Sequence, residues 1–408
     1  MKNKAGTELS IITPETKRRS LRAIGILIFL VSVGEGMTTP AIPLLGDALG
    51  ASYSMIGFFM TGYSVAYCIM TILSGRFSDI FGRKKILLFS VLVSFLASLG
   101  YCFTVSPYAL LIFRTIDGMS RGTLWVVLEA ILADNTDLQN RGKESGRFTT
   151  AYGIGVMMGC IFGGLLMEYL SISTVFPFYP VFCLGAFIVG MRDITEVPQT
   201  HLGAQGVASE GHQALWREFK IIWPLCFVFF AYAGFLYSIS GLLSMVAGYF
   251  NVSYLGIGLI FALFWGCRVI SFSSSGIVIE KVGRKQMLMI GVVLLTTAAL
   301  MFILGGGFLS ISVASILGGI GTGILFPLLI AIVADTASPG YSGFDMGVLE
   351  FVGSLGMISQ TALSGLLGQY GGVQMTYSFT LLVCLAAIVV AGLFVKKGTG
   401  SHKASLTV

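Results

Sequence analysis

Four carboxylic acids and three arginines fall inside long apolar runs of this 408-residue chain. The acids are Glu35, Asp117, Glu129 and Glu350, and the arginines are Arg114, Arg121 and Arg268. A charge at the centre of a bilayer costs about 2.5–3.5 kcal/mol on insertion scales, so each must be matched by a partner, by water or by a proton. The chemistry open to such a set is ion pairing and proton exchange. The three histidines, His201, His212 and His402, lie outside the apolar runs, which leaves carboxylates as the proton carriers.

With four acids against three arginines, at least one carboxyl lacks a fixed counter-charge. Glu35 sits between Gly34 and Gly36 with no other charge on its run. Burial favours a protonated carboxyl, whereas water or a neighbour such as Arg114 favours the ionised form, so a group there can load and unload a proton. Glu35 is expected to be the main proton carrier and Asp117 the second, with Arg114 expelling the proton. Asp117 follows Arg114 by three residues and precedes Arg121 by four, within pairing reach of both on a helix. At 100° per residue, Arg114, Asp117, Arg121, Trp125 and Glu129 share an arc of about 120°. Glu129 reads either as half of a gate or as a bystander, and Glu350 as a partner of Arg268 or of a nearby loop.

The elements that hold these groups follow from composition. Hydrophobic residues make up 55% of the chain and charged residues 11%, against roughly 25% charged in a soluble domain. A soluble enzyme is excluded. A span needs about 20 apolar residues. Such runs lie near 23–46, 54–75, 86–104, 107–133, 148–167 and 172–191, then near 221–248, 254–279, 286–305, 310–334, 346–368 and 375–395. The spacing predicts an all-α integral membrane protein with twelve transmembrane helices in two pseudo-symmetric six-helix bundles. The bundles would cover 1–191 and 218–408, joined by a cytoplasmic linker at 192–217. Apart from the three intramembrane arginines, all of the 25 basic residues fall in alternate connections on one side. By the positive-inside rule that side is the cytoplasm, and it holds both termini. The net charge of +6 needs no nucleic-acid partner. The seven cysteines lie within spans without a C-x-x-C pair, so they read as small buried hydrophobes, and no metal or other cofactor is expected.

Shifting the sequence by 201 residues against itself gives a gapless match over nearly a hundred positions. Gly75 falls on Gly276, Asp79 on Glu280, Gly82-Arg83-Lys84 on Gly283-Arg284-Lys285, and Asp134 on Asp335. The intramembrane charges do not repeat: Arg114, Asp117, Arg121 and Glu129 align with Ser315, Gly318, Thr322 and Ile330. Scaffold is shared and charge is private, as expected for two halves that rock about a central site.

Gly75-Arg76-Phe77-Ser78-Asp79-Ile80-Phe81-Gly82-Arg83-Lys84 and its copy, Gly276 to Lys285, resemble the G-x-x-x-D-(R/K)-x-G-R-(R/K) signature of the major facilitator superfamily. The first copy departs at Ile80, where a basic residue is usual, and the second has Glu280 for Asp. Arg114 to Gly122 is similar to the family's R-x-x-x-G-x-x-x-G element. Gly155, Gly159, Gly163 and Gly164 match its antiporter motif, with Cys160 in place of proline, and Gly34 to Pro43 resembles the first-helix motif of twelve-span drug/proton antiporters. The resemblance implies that helices 1, 4, 7 and 10 line a central cavity, which the helix 4 stripe would face.

The signature loops would latch the halves on the cytoplasmic side, with Asp134 and Asp335 binding Arg83 and Arg284. Phe227, Phe230, Tyr232, Phe235 and Tyr237, with Trp125 and Trp265, offer either a greasy wall for substrate or ordinary packing. The expected function is proton-coupled export of a small amphipathic compound, multidrug-type, by alternating access. The alternative is export of an anionic metabolite held by the central arginines. Expected partners are the small-molecule substrate, protons and membrane lipid, for a monomer in the cell membrane.

Overall fold

The computed structural model describes residues 14–137, 140–196, 212–336 and 341–395, without the side chains of 14, 141, 212–215, 275–278, 280, 342 and 343. Twelve long helices run in chain order. In the first half these are α1 (Pro14–Ala48), α2 (Tyr53–Phe81), α3 (Arg83–Cys102), α4 (Pro107–Asp134), α5 (Arg141–Tyr169) and α6 (Phe178–Asp193). In the second they are α7 (His212–Tyr249), α8 (Tyr254–Val282), α9 (Arg284–Leu304), α10 (Phe308–Thr336), α11 (Ser342–Gly371) and α12 (Ser378–Phe394). Eleven spans among the described residues are long and apolar enough to cross a membrane. The twelfth, α4, is also long enough at 28 residues but takes its own charges across. The expected linker at 192–217 lies largely outside the described residues.

Helix ends repeat at the same 201-residue shift. Ser52 and Ser253 cap α2 and α8, each accepting a hydrogen bond from the backbone N–H three residues on. Gly82 and Gly283 separate α2 from α3 and α8 from α9 with φ of 95° and 96°. Only glycine adopts that left-handed turn without strain, which explains the glycine in both copies of the signature loop.

Packing repeats as well. α1 lies against α5 and α6, α2 against α4, and α3 against α4 and α6; α7 to α12 make the same pairs six helices later. Between the halves, α2 packs on α11 and α5 on α8, two contacts related by the same pseudo-symmetry. Glycines permit both. A Cβ on Gly57 would lie 2.7 Å from the Gly365 Cα, and one on Gly164 would lie 3.0 Å from the Gly258 Cα.

Hydrogen bonds between the halves cluster at the end opposite the basic loops. Tyr53 meets Thr376 at 2.8 Å, Thr61 meets Thr361 at 3.1 Å, and the Ser54 N–H donates to Gln369 at 3.3 Å. Glu168 of α5 accepts from the Leu255 N–H at 3.1 Å, a carboxylate at the positive end of α8. At the basic end, each ion pair between described residues stays within one half. Among the described residues the halves are thus bonded together at one end, the closed end, with no ion pair between them at the other. Gly57→Val or Gly258→Val should wedge the closed end apart, costing it roughly 1–3 kcal/mol. Spin-label distances between α2 and α11, or α5 and α8, should lengthen there while the basic end moves closer.

Candidate functional site

Glu35 is aimed by its neighbours. A Cβ on Gly34 would strike the Tyr179 ring of α6, and one on Gly36 would strike the Val156 carbonyl of α5. With α1 pressed on those two sides, the Glu35 side chain projects towards α4, where it forms an ion pair with Arg121. Both partners are well shielded, with side chains 14% and 4% exposed. The second guanidinium nitrogen of Arg121, Nη1, is buried without a hydrogen-bond partner, leaving capacity for a water or another acceptor.

Asp117 and Arg114 form a separate group. Arg114 Nη1 donates to Asp117 Oδ2 at 3.0 Å. Tyr101 of α3 and Tyr179 of α6 donate to the same carboxylate at 3.2 and 3.1 Å. Arg114 also lies 4.3 Å from the Tyr63 ring centroid and donates to the Met60 sulfur at 3.5 Å. The geometry grades the expected cavity-facing stripe by burial, and Arg114 borders a small gap shared with Ser240 and Gly241 of α7. Arg114, Asp117 and Arg121 are buried in the first half, Trp125 is half-buried, and only Glu129 of the five is exposed. It also replaces Arg114 by Arg121 as the partner of Glu35.

In the second half, Arg268 donates to the Tyr232 hydroxyl at 2.7 Å and stacks over Trp265 at 4.8 Å. The expected pairing with Glu350 does not form; Glu350 has no cationic partner among the described residues and is exposed. Glu129 and Glu350, one from each half, lie within electrostatic range of each other and of Tyr67. Rings join the halves around them. Trp125, Tyr152 and Trp265 follow one another at 5.4 and 5.3 Å, and Tyr237 of α7 lies 6.2 and 6.5 Å from Tyr63 and Tyr67 of α2. On α7, Phe227 and Phe230 stack at 6.1 Å and Phe235 is fully buried.

In the signature loops, Arg83 pairs with Asp134 and Arg284 with Asp335. Asp79 stands 3.8 Å from Arg83, and the Glu280 side chain lies outside the described residues. Each of these contacts joins helices of one half, so none bridges the halves here. The antiporter glycines divide in two. Gly155, Gly159 and Gly163 face the Phe29, Val33 and Met37 carbonyls, one turn apart on α1, whereas Gly164 crosses to α8. The cysteine at the usual proline position, Cys160, is fully buried beside that crossing.

A family model described as the Major Facilitator Superfamily matches residues 24–240 and again 225–407. The chain belongs to the major facilitator superfamily. It is a multi-pass membrane transporter and not an enzyme. Multidrug resistance protein 2 of Bacillus subtilis is 25% identical over 349 residues, which is 83% of this chain and 86% of that protein. The class H tetracycline resistance protein of Pasteurella multocida is 31% identical over 163 residues, 39% and 40% of the two chains. Against an MFS-type transporter of Mycobacterium tuberculosis, the match is 25% identical over 161 residues, 40% of this chain but only 23% of that longer protein. The crystal structure of the human organic anion transporter MFSD10 superposes with a TM-score of 0.69 at 19% identity, over 92% of this chain and 99% of that one. At that identity the likeness speaks for the fold.

Sequence reasoning missed Tyr101 and Tyr179, the phenols that complete the Asp117 shell, because nothing in their spacing marks them. It also missed Gly57 and Gly258, although these are 201 residues apart, as are Gly164 and Gly365. In this superfamily member, Asp117→Ala should lower stability by roughly 3–5 kcal/mol by stranding the Arg114 charge. Tyr179→Phe should cost roughly 1.5–3 kcal/mol for one hydrogen bond to a charged group. Thermal unfolding in detergent measures both.

Proposed function

We propose that the protein is a proton-coupled exporter of a small amphipathic compound with a cationic end, working by alternating access in the cell membrane with both termini cytoplasmic. The observation that carries this is the distribution of charge. Arg114 and Arg121 are neutralised by Asp117 and Glu35, whereas the carboxylates of Glu129 and Glu350 are exposed between the halves. The charge left for cargo is thus mainly negative, beside aromatic rings suited to a flat apolar body. Relatives named for multidrug and tetracycline resistance support the cargo class.

In this reading the basic end is open to the cytoplasm. Cargo enters between Glu129 and Glu350 and screens their repulsion as the halves rock together. A proton arriving from the other side neutralises Glu35 and releases Arg121; return to the present state unloads the proton inward and restores the pair. Asp117, held by three donors, contributes scaffold more than proton exchange. The signature loops would act as latches only once the basic end has closed.

Arg268 sustains a second reading. It is the one intramembrane arginine without a carboxylate partner among the described residues, and with Tyr232 it offers donors to an anionic metabolite. Proteoliposomes loaded with ethidium and given an imposed pH gradient separate the two. Wild type should export ethidium, Glu35→Gln should abolish gradient-driven export, and Arg268→Gln should retain it. Absence of ethidium export by wild type, with an organic anion protecting Trp265 fluorescence through Arg268, would favour the anionic cargo.

A further inference from the structure

At the basic end, a cavity of about 370 Å³ opens between the first turns of α1, the end of α4 and the start of α5. It is remote from the charged centre and belongs wholly to the first half. Its charged lining is Arg18, Arg22, Arg147 and Glu144. Arg147 donates to Glu144 at 2.5 Å, one turn back on the same helix. Arg18 and Arg22 have no carboxylate partner among the described residues, and they stand four residues apart on one face of α1. Two positive charges are therefore left over. Gly25 forms part of the wall, and a Cβ placed on it would meet nothing within 4 Å.

The apolar part of the lining includes Leu21, Ile24, Leu132 and Phe148. The apolar runs of α1 and α5 begin near 23 and 148, and that of α4 ends near 133. The cavity thus lies where hydrocarbon gives way to water, the depth of lipid headgroups. A guanidinium presents paired donors that fit phosphate oxygens, and Arg18, Arg22 and Arg147 stand exposed at the mouth of the cavity, above its apolar lining.

We propose that this cavity binds a phosphate-bearing anion, supplied by the headgroup of an anionic membrane lipid or by a soluble phosphate ester. Arg18 and Arg22 grip the phosphate from α1 and Arg147 closes on it from α5, while the leucines and Phe148 take the glycerol and first methylenes. Occupancy ties the first turns of α1 to α4 and α5. The site does not depend on the nature of the cargo or on proton coupling.

The test uses the full-length protein in neutral detergent, with dioctanoyl phosphatidylglycerol, dioctanoyl phosphatidylcholine and glycerol 3-phosphate as probes. Binding is read by native mass spectrometry and by the shift in unfolding midpoint. Phosphatidylglycerol should bind saturably and tighter than phosphatidylcholine. The Arg18→Gln, Arg22→Gln double substitution should weaken it roughly tenfold or more. Gly25→Leu, which fills the space and keeps every charge, should weaken it as well, whereas a diffuse basic surface would be indifferent to that change. Circular dichroism and monodisperse elution establish that the variants fold, and Arg147→Gln replaces them if the α1 variants do not. Glycerol 3-phosphate binding with the same dependence on these residues would assign the site to a soluble ester. Equal affinity for the two lipids, or phosphatidylglycerol binding unchanged by both substitutions, would overturn the proposal.

Discussion

A charge inside a membrane bundle persists only when it is matched, and the pair between Glu35 and Arg121 is the match around which the first half is arranged. Glycines on either side of Glu35 press α1 onto α5 and α6, so the carboxylate has one direction left, towards α4. The contrast with Asp117 is instructive. Asp117 receives Arg114 and two tyrosine hydroxyls, and its oxygens are occupied from three helices. The Arg121 guanidinium keeps a buried nitrogen unpartnered. A saturated carboxylate is expensive to disturb and serves as framework, whereas an unsaturated pair can admit a water and exchange.

The conformation rests on a different constraint, the approach of backbones. Without water in the hydrocarbon there is little hydrophobic force between helices, so contact depends on small residues and on the few hydrogen bonds they bring within reach. Gly57 against Gly365 and Gly164 against Gly258 supply two such crossings, related by the repeat. Around them, Tyr53, Thr61 and Glu168 bond across to the other half. Among the described residues the basic end has no equivalent: the arginines of its signature loops pair within their own halves, Arg83 to Asp134 and Arg284 to Asp335. A side chain added at a crossing acts on the closed end directly, whereas loss of a loop pair acts first on one half's own integrity.

Most of the fold was legible in the sequence because the membrane imposes it. Apolar run length gave twelve spans, the basic residues sorted the connections, and the 201-residue repeat placed the turns at Gly82 and Gly283. The identity of the charged residues was legible too, since a charge in an apolar run announces itself. Their partners were less so. Spacing of three along α4 marks the Arg114–Asp117 pair, which forms, yet the remaining contacts come from other helices: Tyr101 and Tyr179 also donate to Asp117, and Glu35 takes Arg121. Arg268 and Glu350 were matched by opposite sign, but a phenol of α7 and an indole one turn back on α8 satisfy Arg268 first. Helix periodicity fixes which face a residue occupies; it says nothing about which neighbour faces it.

The two halves share a scaffold and divide the electrostatics. In the first half, two arginines are each bound to a carboxylate, so the buried charge nearly cancels within one rigid unit. At the aligned positions the second half has Ser315, Gly318 and Thr322, all fully buried or nearly so, and needs no compensation there. Its own charges, Arg268 and Glu350, stand apart from one another and are not cancelled internally. In the proposed alternating-access cycle, rocking of a neutralised half against a half with separated charges would change mainly the surroundings of the latter and of the facing Glu129. Each exposed carboxylate would then see its hydration rise or fall with the opening of the basic end, and like charges in shrinking water would repel more strongly. In the proposed mechanism, asymmetry of charge on a symmetric frame is thus what would let the bound state of the cavity bear on which end of the molecule is closed.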